Sequence, residues 1–246
     1  AAHDETALLP SVSAALSVLT ECREMHDAVA AGRTRVICTE LDFPTLAYQF
    51  RVKPEIELVV LPSDDGVGVD LARFAEAVDE RTLMIATSHV FYATGHVQDL
   101  GALANLAHRA GAWCIIDGYQ GSGHVPVDLQ GTGIDAYVSG PLKWLCGGPG
   151  LAYLFVRQGL IDQLTPRFTS WFAAADQFAF DLEHFEFRAD ARRFELGTPA
   201  LPTVHTALGG QELLDEVGWP RVHARIRALA DQLADDLEAA GFTLRR

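Results

Sequence analysis

The sequence predicts an α/β fold, a mostly parallel sheet flanked by helices. Two patterns lead there. The strand candidates are continuously apolar rather than alternating, as strands buried on both faces are, and helical stretches of about ten residues separate several of them. The composition agrees: 246 residues, 49% hydrophobic and 21% charged, are enough to bury a large core.

Residues 8–19 read as a helix entry, with Ser11 or Ser13 as N-cap before an apolar periodic run. Arg35–Thr39 is a short β-rich run, and Glu57–Leu61 is a second, closed by Pro62. Residues 69–78 carry Leu71, Phe74, Ala75 and Val78 at helical spacing. Residues 83–87 form a third strand, and 100–110 a helix with Leu103, Leu106 and Ala107 on one face. Residues 112–116 form a fourth strand that ends at Asp117, and 135–138 and 151–156 a fifth and sixth. Residues 165–195 are rich in Phe, Asp and Arg and show no period. Residues 208–217 and 219–240 read as two helices. The second places Val222, Ile226, Leu229, Leu233 and Leu237 on one stripe, expected to face a core.

Composition also excludes functions. The net charge of −14 repels phosphate backbones and argues against a nucleic-acid partner. No apolar run reaches the roughly 18 residues of a transmembrane helix, and the acidic start lacks the features of a signal peptide. Cys22, Cys38, Cys114 and Cys146 read as reduced, buried thiols, which fits a cytoplasmic protein. His89 and His96 lie seven apart without a His-Glu-x-x-His or Cys-x-x-Cys frame, so no metal is expected.

Two residues stand out chemically. Asp117 directly follows an apolar strand, where open α/β sheets meet their ligands; it also suits a turn cap. Lys143 is one of only two lysines. It lies in Ser139-Gly140-Pro141-Leu142-Lys143-Trp144-Leu145-Cys146-Gly147-Gly148-Pro149-Gly150, with no acid between Asp135 and Asp162. Desolvation there lowers an amine's pKa and makes it nucleophilic, unless the side chain snorkels to solvent, as Lys53 beside Glu55 is expected to do. A strand-end carboxylate, a desolvated lysine and a helix start with hydroxyls are the parts a pyridoxal 5'-phosphate site needs.

The motifs together resemble the class V aminotransferase group of fold-type I pyridoxal phosphate enzymes, in its kynureninase-like and cysteine desulfurase-like branch. The resemblance spans about residues 5–244. It rests on the Lys143–Gly150 segment, Asp42-Phe43-Pro44-Thr45, Ser88-His89-Val90 with Thr94-Gly95 and Asp99, Trp171-Phe172, and Arg193-Phe194-Glu195-Leu196-Gly197-Thr198-Pro199.

The resemblance implies roles. Lys143 would form the Schiff base and move the substrate's α-proton. Asp117 would pair with the pyridine nitrogen, Gln120 with the phenolic oxygen, and Phe43 would stack on the ring. Ser11 and Val12 would hold the phosphate, with Ser139 nearby. Trp171 and Thr198 would reach the phosphate or the substrate, Thr198 from a second subunit. It implies a small amino-acid substrate, a homodimer, a large cofactor domain over 1–200, and the helical start of a small domain over 201–246 with more sequence on either side. No cysteine follows Cys146, so desulfurase chemistry is not expected. Two alternatives are a relic of the fold that binds without turnover, motivated by Pro141-Leu142 and the missing ends, and an unrelated α/β enzyme.

Overall fold

The computed structural model describes residues 2–245. Strand β1 is Thr6–Leu9, followed by helices α1 (Val12–Thr20) and α2 (Arg23–Ala30). Then β2 (Arg35–Thr39), α3 (Pro44–Arg51), β3 (Glu57–Leu61), α4 (Leu71–Ala77), β4 (Thr82–Ser88), α5 (Leu100–Arg109) and β5 (Trp113–Asp117) alternate. The chain continues through α6 (Leu129–Thr132), β6 (Ala136–Ser139), β7 (Ala152–Val156), α7 (Gln158–Ile161), α8 (Leu201–Val217) and α9 (Trp219–Ala239).

The sheet has seven strands in the order β1-β7-β6-β5-β4-β2-β3. Neighbours β6-β5, β5-β4, β4-β2 and β2-β3 are parallel, and β7 runs antiparallel to both β6 and β1. Alternate residues feed opposite cores. Val36, Met84 and Ile115 pack with Leu16, Leu19 and Phe50 on one face; Ile37, Ile85 and Ile116 pack with Phe74 and Leu103 on the other. All seven residues of β4 are buried. This double burial is why the strands read as unbroken apolar runs.

Three expectations change. Leu8 and Leu9 belong to β1, paired with β7, and the helix begins only at Val12. Pro10 lacks an amide hydrogen and separates the two elements. The α9 stripe does not face a core: the helix has no buried residue, and Leu229 and Leu233 are 47% and 59% exposed. Its apolar period is real, but period alone does not say what an element packs against. Among the cysteines, Cys22, Cys38 and Cys114 are buried and free, whereas Cys146 is free but exposed. It sits in an irregular turn with φ of 57°, outside the strand cores.

Candidate active site

The carboxyl ends of β1, β2, β4, β5 and β6 open onto one region, the usual ligand edge of such a sheet. A cavity of about 330 Å³ lies there, lined by Ser11, Val12, Phe43, Ser88, Tyr92, Asp117, Tyr119, Gln120, Leu142 and Lys143, among others. A wider cleft of about 590 Å³ near Asp65, Asp70, His96 and Asp99 lies elsewhere. Asp65, Asp70 and Asp99 there are engaged as local caps, accepting from Val67 and Gly68, from Ala72, and from Ala102, and Asp64 pairs with Arg73. Among the described residues, no cluster of three or more metal-ligating side chains occurs.

Asp117 is the last residue of β5 and is buried. Burial pushes its carboxyl up to about 6; the Tyr119 amide, donating to Oδ1 at 2.9 Å, opposes this, Asp42 adds to it and Lys143 opposes it. Asp117 closes an Asx turn and also lines the cavity. The next residue must be glycine, because a Cβ at Gly118 would lie 1.8 Å from the Tyr137 ring. Gly140 has the same character, leaving room for the Tyr119 ring, which a Cβ would meet at 2.6 Å.

Lys143 Nζ lies 4.8 Å from the Tyr119 ring centroid and 5.8 Å from that of Phe43. Partial burial lowers its pKa and Asp117 works against that. Phe43 precedes Pro44 at the start of α3 and meets Tyr92 edge-on at 5.4 Å. Gln120 accepts a hydrogen bond at Oε1 from Trp144 Nε1 at 3.0 Å. Its Nε2 group is the donor half of the amide. Ser11 is the N-cap of α1, its Oγ accepting from the Ala14 amide at 3.1 Å. The start of α1 thus presents free amides at the cavity wall, a favourable place for an anion.

Six sequence-predicted residues therefore share one cavity: Ser11, Val12, Phe43, Asp117, Gln120 and Lys143. Three do not line it. Ser139 is buried behind it, donating from Oγ to the Gly118 carbonyl at 3.3 Å. Trp171 lies in a separate aromatic cluster with Phe172, Phe178 and Phe180, and Thr198 is exposed in the loop before α8. Tyr119 and Tyr92 were not legible as site residues. Tyr119 sits between Asp117 and Gln120, and that position is the only signal for it. His89 is buried against Tyr137, Nδ1 to Oη at 3.0 Å, and burial with the nearby His124 depresses its pKa to about 4.

The aminotransferase class-V profile matches residues 22–245. The chain belongs to the aminotransferase class-V family. Family members work with pyridoxal 5'-phosphate, and the donor set described above fits that group: an amine, a strand-end carboxylate, two aromatic faces and a helix N-terminus.

An uncharacterized aminotransferase, YcbU, of Bacillus subtilis is 33% identical over 226 residues, covering 92% of this chain and 58% of the relative. A kynureninase of Bacillus anthracis is 28% identical over 225 residues, covering 86% of this chain and 52% of its own. The chain thus spans little more than half the length of these class-V relatives. Among solved structures, a cysteine desulfurase from Thermococcus onnurineus matches with a TM-score of 0.80 at 20% identity, over 97% of this chain and 59% of its own. The cysteine desulfurase CsdA of Escherichia coli matches at 0.81 and 21%, over 96% and 58%. These two likenesses establish a fold-type I architecture.

Proposed function

We propose that this chain holds pyridoxal 5'-phosphate on Lys143 and belongs to an enzyme acting on an amino acid, by transamination or by a kynureninase-like cleavage. The observation that carries the reading is the meeting of Lys143 and buried Asp117 in one cavity with the N-terminus of α1. When bound, pyridoxal phosphate supplies an electron sink for the bonds at the substrate's α-carbon.

The chain's own residues do the rest. Asp117 would meet the pyridine N–H as an anion, and pairing with a cation there would pull its raised proton affinity back down. Lys143 Nζ, its pKa lowered by burial, would hold the cofactor and, once the substrate's own amine has displaced it, would take and return the proton at the substrate's α-carbon. Phe43, on the cavity wall, would cover one ring face. Gln120, its Oε1 held by Trp144, would donate from Nε2 to the phenolic oxygen. Ser11, the N-cap of α1, and Val12, its first residue, would hold the phosphate at the helix N-terminus.

In this reading residues 1–200 form the cofactor domain and 201–246 begin a second domain. The working unit is a cytoplasmic homodimer in which Trp171 and Thr198 approach the site across the interface.

Absorbance and mass spectrometry test the reading. Added pyridoxal phosphate should give a visible band that survives desalting. Borohydride should fix a pyridoxyl group on the peptide containing Lys143, and Lys143→Ala should lose both. No attachment in the wild-type chain overturns the assignment. Attachment that no amino acid perturbs replaces the enzyme reading with that of a binding protein without turnover.

A further inference from the structure

The loop between β2 and α3 carries Phe43, and the residue before it is a buried carboxylate that the proposed chemistry does not use. Asp42 accepts five hydrogen bonds. Oδ2 takes the Thr39 amide at 2.7 Å and the Thr39 hydroxyl at 3.0 Å, both from the end of β2. Oδ1 takes the Ser88 amide at 2.7 Å, from the end of β4. The Thr87 hydroxyl bridges both oxygens at 3.0 and 3.1 Å, and Gln98 Nε2 donates in turn to that hydroxyl at 2.9 Å.

We propose, building on the pyridoxal phosphate reading, that Asp42 is a positioning residue that bolts β2 to β4, setting Phe43 on one side of the cavity and Ser88 beside Asp117 on the other. Ser88 is the register partner of Asp117 across β4 and β5, so the carboxylate grips the backbone next to the residue assigned to the pyridine nitrogen. The site requires an acceptor at both oxygens, because a backbone N–H points at each. Asparagine offers one acceptor and one donor, so it sets N–H against N–H on one side. Burial raises the carboxyl's proton affinity, and the Ser88 and Thr39 donors counter it. The negative charge also raises the proton affinity of Asp117, which favours a cationic group as its ligand.

Two readouts test this, one without cofactor. In hydrogen exchange, Asp42→Asn should speed exchange about tenfold in peptides covering 39–46 and 86–90 and leave β7 unchanged. With pyridoxal phosphate, the variant should bind about tenfold more weakly and show an altered visible circular dichroism, at temperatures where far-ultraviolet spectra show it folded. Thr87→Val keeps the charge and removes one donor. It should weaken binding about threefold, and it decides the matter if Asp42→Asn does not fold. Unchanged exchange in the two peptides, or affinity within about twofold of wild type with the same spectrum, overturns the proposal. A wild-type chain that takes up no cofactor overturns the cofactor reading, while exchange still decides the bolt.

Discussion

Asp117 carries a cost that can be measured without knowing the substrate. Its carboxyl is raised from an ordinary 3.8 to about 6 in the fold. Folding therefore favours its protonated form, and stability falls as pH rises from 3.8 through 6, then levels off. The displacement corresponds to roughly 3 kcal/mol. Asparagine keeps the acceptor for the Tyr119 amide and carries no charge. In urea denaturation of the cofactor-free chain, Asp117→Asn should exceed the wild type by up to about 3 kcal/mol at pH 8, with the difference vanishing below about pH 4. The same change should abolish tight cofactor binding, a trade of function for stability. A wild type no less stable than the variant at pH 8 refutes the buried-anion account. At this scale the sequence was informative where chemistry is rare: Lys143 is one of two lysines, and Asp117 ends an apolar run. It was silent where geometry decides. Ser139 and Tyr119 both lie within four residues of a predicted site residue along the chain. Only the fold shows Ser139 turned to the Gly118 carbonyl and Tyr119 turned to the cavity.

Elements were legible where they form continuous apolar runs. β2 and β3 match their sequence readings, and β4 to β7 differ by a residue or so at their ends, because each carries a continuous apolar run, whether parallel or, like β7, antiparallel to its neighbours. β1 was missed because four residues before a proline carry little period. The long helix α8 starts at Leu201, earlier than its apolar spacing indicated, with Pro202 in its first turn. What joins the elements is harder to read, and Asp135 is an example. It is buried just before β6 and accepts from His108 Nε2 on α5 at 2.8 Å, the Cys114 amide on β5 at 2.8 Å, and Arg157 Nη2 after β7 at 2.8 Å. One carboxylate thus fixes three elements around β5, the strand that presents Asp117. Asp135→Ala leaves the Cys114 amide and the guanidinium without this acceptor and should cost about 3 kcal/mol in urea denaturation. A loss below about 1 kcal/mol would mean that water replaces the carboxylate.

At the scale of the whole molecule, two opposing forces act on association. The chain bears a net charge of −14, so copies repel. Yet the segment around Trp171 is richly apolar at its surface. Phe178 and Phe180 are 71% and 70% exposed, and both rings contact Trp171. Scattered exposed apolar residues are ordinary; a cluster of aromatic rings is not. The proposed homodimer gives this cluster something to cover, and it brings Trp171 and Thr198, which lie outside the cavity of their own chain, toward a neighbouring site. Sedimentation should therefore give twice the 26.7 kDa chain mass. Because both rings are exposed in the single chain, Phe178→Asp with Phe180→Asp should barely change its stability while shifting the mass to that of one chain. Raising salt from about 0.05 to about 0.5 M should strengthen association, since it screens the like charges and leaves the apolar contact intact. If Trp171 and Thr198 act across the interface, the double variant should also bind pyridoxal phosphate more weakly with Lys143 and Asp117 untouched. A wild-type chain that sediments as a single copy at every salt concentration would refute the dimer and leave Trp171 and Thr198 without a route to the site.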